Sequence, residues 1–298
     1  MDVVLALDIG VSEMAAGLMT MTGELLDVAR ARIDPSKTAD GLFDQVSDIL
    51  QGQLDRAAEH HKITPAVLGV SIAGPVTENL ETVSPLGLPV WREFPLRKRL
   101  AAYTKLPVFG DLDAKALALA EGWLGAAQGY SNFMAMVVSD VVSGGVVLDG
   151  QLLDGASGNA GNIGHVIVEP NGRRCACGGR GCLEAEASAR SIEAMTGRPA
   201  SSPSYDTMVR TGKLVGRGVA SVCNMLDIDL VVVGGSVALG FGATFFNAGQ
   251  DSIAQHCGLN FSKGARMSPT RLADRGPLLG AGALGLRGLN RMPRIRTG

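Results

Sequence analysis

The hydrophobic positions of this chain fall into short unbroken runs that alternate with longer stretches of helical period. Residues 3–8 (VVLALD) and 14–20 (MAAGLMT) are two such runs, and the step Gly10-Val11-Ser12 between them predicts a β-hairpin, followed by a Thr22-Gly23 turn. Across residues 40–61 the apolar positions Leu42, Val46, Ile49, Leu50, Leu54 and Ala57 recur at helical spacing. Residues 67–72 then read as a buried strand ending at Ala73-Gly74-Pro75. A basic helix follows near 95–103, a short strand covers 106–110, and the alanine-rich stretch 113–127 is a second clear helix.

The same order then returns. Residues 133–138 (FMAMVV) and 145–148 (GVVL) predict a hairpin around 139–144. Residues 230–233 predict a buried strand that ends at Gly234-Gly235-Ser236, with a helix beyond it. Two stretches that each open on a hairpin with a polar, glycine-containing turn predict a duplicated α/β architecture, two lobes with a cleft between them. The first lobe is expected over 1–112 and the second over 113–275, with a Gly-Ala helix at about 276–290 returning to the first lobe.

Composition narrows the class. At 298 residues, 46% hydrophobic and 19% charged, the chain has the length for two ordinary cores and the balance of a globular protein. A net charge of −2 points away from nucleic acid and from anionic membrane surfaces. Arg287, Arg291, Arg294 and Arg296 read as a solvated tail. The amino terminus has no basic region and no cleavage site, and Asp140 and Ser143 interrupt the most apolar stretch, 133–148. A soluble, cytoplasmic protein is expected.

Three of the five cysteines lie close together in GHVIVEPNGRRCACGGRGCLE, where His165, Cys175, Cys177 and Cys182 form an H-x9-C-x-C-x4-C run. One imidazole and three thiolates are a soft, tetrahedral ligand set, which is what a structural Zn2+ site over 165–182 would use. A reactive or merely buried thiol cluster is the alternative, while an iron–sulfur centre lacks a fourth cysteine nearby. Such spacing favours metal over disulfides and a reducing compartment. Cys223 and Cys257, in apolar surroundings, read as ordinary buried thiols.

Six segments together resemble the ROK family of sugar kinases, related repressors and open reading frames: DIGVS at 8–12, SIAGPV at 71–76, DAKALALAE at 113–121, AGNIGH at 160–165, CACGGRGCLE at 175–184 and VGGS at 233–236. The resemblance implies a two-lobed, actin-like ATPase (duplicated ribonuclease H-like) fold, ATP with Mg2+, a hexose-like sugar as partner, and a homodimer or higher homo-oligomer. It implies Asp113 as the base on the sugar hydroxyl, with a helix N-cap as the plainer role for that residue. His165 would place one ring nitrogen on zinc and the other on a sugar hydroxyl, with Glu184 and Asn162 beside it. Asp8 would hold Mg2+ through water while Gly10 and Ser12 face phosphate, a second phosphate turn includes Gly144, and Gly234 and Gly235 let a nucleotide approach the backbone. Asp-Gly turns and glycine pairs also serve ordinary packing. The repressor branch adds an amino-terminal helix-turn-helix domain, not expected here because the first strand begins at residue 3.

Several positions depart from the family pattern. The first phosphate turn, usually D-x-G-G-T-K, is DIGVSE at 8–13, and the second, usually G-T-G-x-G-G-G, is SDVVSGG at 139–145. Val11 and Val141 add bulk where backbone should approach phosphate, Glu13 stands where the first turn has lysine, and Asp140 adds a carboxylate. A like-charge contact near 4 Å costs about 4 kcal/mol at an effective dielectric of about 20. Leu112 replaces the asparagine before the catalytic aspartate, Asn162 replaces a glutamate, and Leu86-Gly87 replaces an asparagine after Ser-Pro. Each lost neutral hydrogen bond is worth about 0.5–1.5 kcal/mol. Two functions are therefore open: an ATP-dependent, glucokinase-like sugar kinase, or a ROK pseudokinase that binds a ligand or protein as a regulator.

Overall fold

The computed structural model describes residues 2–293 and residue 295. The chain forms two compact units: Met1–Ala120, Asp154–Ala160 and Asp274–Arg294 make the first, and Glu121–Leu153, Gly161–Ala273 and Ile295–Gly298 the second. Elements are numbered in chain order.

In the first unit, β1 (Val3–Ile9), β2 (Glu13–Thr20), β3 (Leu25–Arg32), β4 (Pro65–Ile72) and β5 (Val108–Leu112) form one sheet in the order β3-β2-β1-β4-β5. β1 runs antiparallel to β2 and parallel to β4, and β4 runs parallel to β5. The uninterrupted apolar run of β1 follows from cover on both faces. Leu5, Leu7 and Ile9 pack with the buried residues of α1 (Ala39–Arg56) and α2 (Leu96–Thr104), while Ala6 packs with Leu278 and Ala281 of the carboxyl-terminal helix α8 (Gly276–Gly288). That helix comes so close that a Cβ on Gly69 of β4 would lie 2.0 Å from the Ala281 carbonyl oxygen, so only glycine fits there. Thr38 caps α1 by accepting from the Gly41 N–H at 3.1 Å, and the helix closes in a π turn over Ala57–His61.

The strand expected at 106–110 lies at Val108–Leu112. Its register is set by partners remote in sequence: Leu68 pairs with Val108 and Ile72 with Leu112. The shift carries the strand directly into α3 (Asp113–Leu124), with no loop between. α3 ends three residues before the expected 127, because the Glu121 carboxylate takes the Ala126 N–H at 2.6 Å and holds the turn that follows. A division near residue 112 was expected; the chain passes from the first unit to the second within α3, between Ala120 and Glu121.

The second unit repeats the first strand for strand. β6 (Phe133–Val138), β7 (Val142–Leu148), β8 (Gln151–Leu152), β9 (Leu230–Gly234) and β10 (Arg266–Pro269) lie in the order β10-β9-β6-β7-β8. β6 is antiparallel to β7 and parallel to β9, and β9 is parallel to β10. The β6–β7 turn is shorter than expected, since Val142 already pairs with Val138. Two short helices, α4 (Leu183–Ala187) and α5 (Ala189–Thr196), precede the long α6 (Tyr205–Leu226) and α7 (Ser236–His256). α6 carries a weak sequence signal, because its glycines at 212, 216 and 218 dilute its apolar stripe, and it was not expected. Its buried face is nonetheless helical in period: Leu214, Val215, Val219, Val222 and Cys223.

Cys223 and Cys257 are buried, as expected. The arginine-rich end is not a free tail: Arg287 pairs with Asp154 at 3.2 Å and Arg291 with Asp2 at 2.7 Å, while Arg294 and Arg296 lie outside the described residues. Among the described residues no helix is long and apolar enough to cross a membrane.

Candidate functional site

Parallel pairing brings the carboxyl ends of β1, β4 and β5 side by side, the edge where ligands of open α/β sheets bind. Asp8 pairs in register with Ser71, and Ser71 with Asp111, just before Asp113. The Ser71 hydroxyl donates to Asp8 Oδ1 at 2.5 Å. Burial pushes the Asp8 carboxyl up to about 7, and the negative charge of Asp113 adds to the rise, while Ser71 and Arg30 oppose it. A half-buried carboxylate with a raised pKa beside a second carboxylate is the environment a divalent cation relieves. Asp113 is the first residue of α3, and its Oδ1 accepts from the Ala114 N–H at 2.7 Å.

The substitutions around these carboxylates are accommodated by packing. At the first turn, Gly10 N–H donates to the Glu13 carbonyl at 2.9 Å and Ser12 is exposed. Val11 does not adopt a left-handed backbone conformation, so its valine costs no φ strain. Its side chain is buried instead against Gly87, where a Cβ would meet a Val11 methyl at 2.4 Å. Leu112 is a core residue, 2% exposed, whose Cδ2 would lie 2.5 Å from a Cβ on Gly74. Both positions are apolar contacts in this chain.

In the second unit the same two strand ends carry hydroxyls. Ser139, after β6, and Ser236, at the start of α7, share a hydrogen bond of 2.9 Å. This is the counterpart, in the duplicated topology, of the Asp8–Ser71 pair. Gly235 has φ +97° and would place a Cβ 2.4 Å from the Val138 carbonyl, so glycine is required between β9 and α7. No side-chain hydrogen bond caps the start of α7, whose first N–H groups have no partner within the helix. Gly144 is the third residue of β7, paired with Met136 and packed against Met134, inside the sheet and not in the turn.

His165, Cys175, Cys177 and Cys182 come together so that one donor atom from each lies within 4.8 Å of the others. His165 Nδ1 is 3.7 Å from Cys175 Sγ, and Cys177 Sγ is 3.7 Å from Cys182 Sγ. Two thiolates bound tetrahedrally at about 2.3 Å stand about 3.8 Å apart, so these spacings fit a single small cation. Burial, together with the neighbouring thiols, holds the Cys182 thiol up to about 12, and a metal would reverse that by taking the thiolate. With Nδ1 turned to the cluster, Nε2 of His165 is the nitrogen left for another partner. The loop leads through Cys182 into α4, where Glu184 Oε2 accepts from the Val142 N–H at 3.0 Å. Asn162 starts the 3-10 turn that presents His165, and its carbonyl accepts the His165 N–H at 3.3 Å.

Sequence reasoning missed two features. Ser71 was legible only as a strand residue, since its partner stands on another strand. Lys115, fully buried, and the segment Asp154–Ala160 that it binds within the first unit have no local signature at all.

The ROK family profile matches residues 4–287. An N-acetylmannosamine kinase of Haemophilus influenzae is 32% identical over 80% of this chain and 82% of its own. A glucokinase of Halalkalibacterium halodurans is 35% identical, over 62% of this chain and 56% of its own length. Among solved structures, the glucokinase of Streptomyces griseus, in complex with glucose and AMPPNP, superposes with TM-score 0.84 at 25% identity, covering 96% of this chain and all of that one. The ROK hexokinase of Thermus thermophilus gives TM-score 0.80 at 29% identity over 97% and 99% of the two chains.

Proposed function

The chain belongs to the ROK family, and from that premise we propose that it is an ATP-dependent kinase of a hexose-like sugar. The observation that supports the proposal is the carboxylate pair of Asp8, near the end of β1, and Asp113, directly after β5, on strands separated by β4 alone and close enough that the charge of Asp113 raises the Asp8 pKa. The sugar hydroxyl attacks the γ-phosphorus as the bond to the ADP oxygen breaks, and Asp113 accepts the hydroxyl proton. Asp8 would hold Mg2+ through water, and the cation would favour the ionised carboxylate against the burial that pushes its pKa up. Ser139, Ser236 and the first N–H groups of α7 would supply donors for phosphate, alongside Gly10, Ser12, Gly234 and Gly235.

The four-residue cluster is proposed to hold Zn2+, in a structural role. Its ligand set and spacing support that assignment. Held by these four residues, zinc would fix the ring of His165 through Nδ1, leaving Nε2 for a sugar hydroxyl, and would anchor the loop that carries Glu184. A homo-oligomer and a cytoplasmic location complete the proposal.

The test is ADP release with ATP and Mg2+ over hexoses, N-acetylhexosamines and polyols. Turnover with one or more sugars, lost in Asp113→Asn, is the expected result. No sugar-dependent turnover would overturn it. A second function, a ligand-binding regulator without turnover, is favoured by Leu112 and Val11, which pack into the core where the family has polar or glycine residues. Calorimetry separates the two: micromolar binding of ATP–Mg2+ supports the kinase, and no detectable binding supports the regulator.

A further inference from the structure

Lys115 stands two residues beyond Asp113, and its side chain is fully buried. Its Nζ lies 2.8 Å from the Gly158 carbonyl, 3.2 Å from Asp154 Oδ1, 3.3 Å from Asp111 Oδ2 and 3.4 Å from the Asp154 carbonyl. Arg287 of α8 binds the other oxygen of Asp154 at 3.2 Å. Burying an ammonium group is expensive unless acceptors surround it, so this lysine serves the groups it touches. Most of them belong to Asp154–Ala160, a strap of the first unit with no helix or strand of its own, flanked by Leu153 and Gly161 of the second. Backbone without a ladder needs donors from elsewhere, and Lys115 provides them.

The strap hands the connection on. Asn159 Oδ1 accepts from Val76 N–H at 3.1 Å, and Asn159 Nδ2 donates to the Val76 carbonyl at 2.8 Å. One side-chain amide thus satisfies both backbone groups of Val76, as a neighbouring strand would. In the same turn Gly74 lies against Leu112, the residue before Asp113. Contacts therefore run from Lys115 through the strap and Asn159 to the 74–77 turn and back to the start of α3.

We propose that Lys115 is a positioning residue: it latches the strap so that Asn159 holds the 74–77 turn against Leu112 and sets the place of Asp113. Only the turnover part of the test rests on the kinase function above. Lys115→Met keeps the apolar stem and removes the donors. Since that leaves Asp111 buried without its cation, Lys115→Met/Asp111→Asn is the companion variant, and Asn159→Ala cuts the far end of the latch without removing a charge.

Hydrogen exchange on the full chain should show amides of 154–160 and 74–77 exchanging at least about tenfold faster in all three variants, with β1 and α1 unchanged. Combining Lys115→Met with Asn159→Ala should add less than about twofold, because both act on one link. With a sugar that the wild type phosphorylates, kcat should fall at least about tenfold while the KM for ATP stays within about twofold. Unchanged exchange in the strap and turn of the companion variant overturns the latch, as does an ATP KM that rises in step with the loss of kcat. A wild type inert toward every sugar overturns the kinase function, and the exchange pattern alone then decides the latch.

Discussion

Glu184 accepts the Val142 backbone N–H at 3.0 Å, which ties the helix after the cysteine loop to the first residue of β7. The cysteine loop is thus more than a staple for itself. Through Cys182 and α4 it steadies the turn between β6 and β7, the candidate phosphate turn.

Removing one thiolate tests the metal. Cys177 is the exposed member of the cluster, so Cys177→Ser costs no packing of its own. The wild type should carry about one zinc per chain by elemental analysis, and the variant less than about a third of that, with a lower melting temperature. Full metal content and unchanged melting in the variant would contradict a closed structural site.

Asp113→Asn should lower kcat by about 10²–10⁴-fold, the usual worth of a general base, with sugar affinity changed only a few-fold. The measurement is steady-state ADP release on the sugar that the wild type prefers. A fall confined to KM would make Asp113 a binding residue and not the base.

The Asp8 carboxyl is pushed from 3.8 up to about 7, foremost by burial. A raised pKa means the folded state holds the proton more tightly than the unfolded chain. That contribution is full below about 3.8 and lost as pH rises to about 7. In Mg2+-free buffer, wild-type melting temperature should therefore fall between pH 5 and pH 8 more than that of Asp8→Asn, and Mg2+ should narrow the gap. Parallel pH curves for the two proteins would show that Asp8 ionises without cost.

Leu112 is 2% exposed and packs on Gly74. Leu112→Asn, which restores the family's residue, should destabilise the protein by about 2–4 kcal/mol in urea unfolding, from the lost apolar contacts and a buried amide. Neutral stability would mean that the site already has room and polar partners for asparagine.

Much of the fold was legible because its signals are local. Apolar runs the length of a strand marked β1, β2, β4, β6 and β9, and the polar step at 10–12 marked the first hairpin. β3, β8 and β10 escaped notice: β3 is a half-exposed edge strand, and the other two are only two and four residues long. Val11 illustrates a misjudged cost. A glycine-to-valine change in a phosphate turn suggests lost φ freedom, but the backbone there is ordinary and the methyl groups settle on Gly87.

The sequence by itself determined the spacing of the His165/Cys175/Cys177/Cys182 cluster, the repeated hairpin-first pattern and the family, because close spacing, run length and motif order are properties of neighbours along the chain. Only the tertiary structure decided that Ser71 faces Asp8, that β5 pairs with β4 so that Leu112 stands beside Ile72, and that Lys115 reaches the strap at Asp154 and Gly158. Those partners stand tens of residues apart. Sheet order and register bring them together, and the free energy that does so comes from burying apolar surface, which no short window of sequence contains.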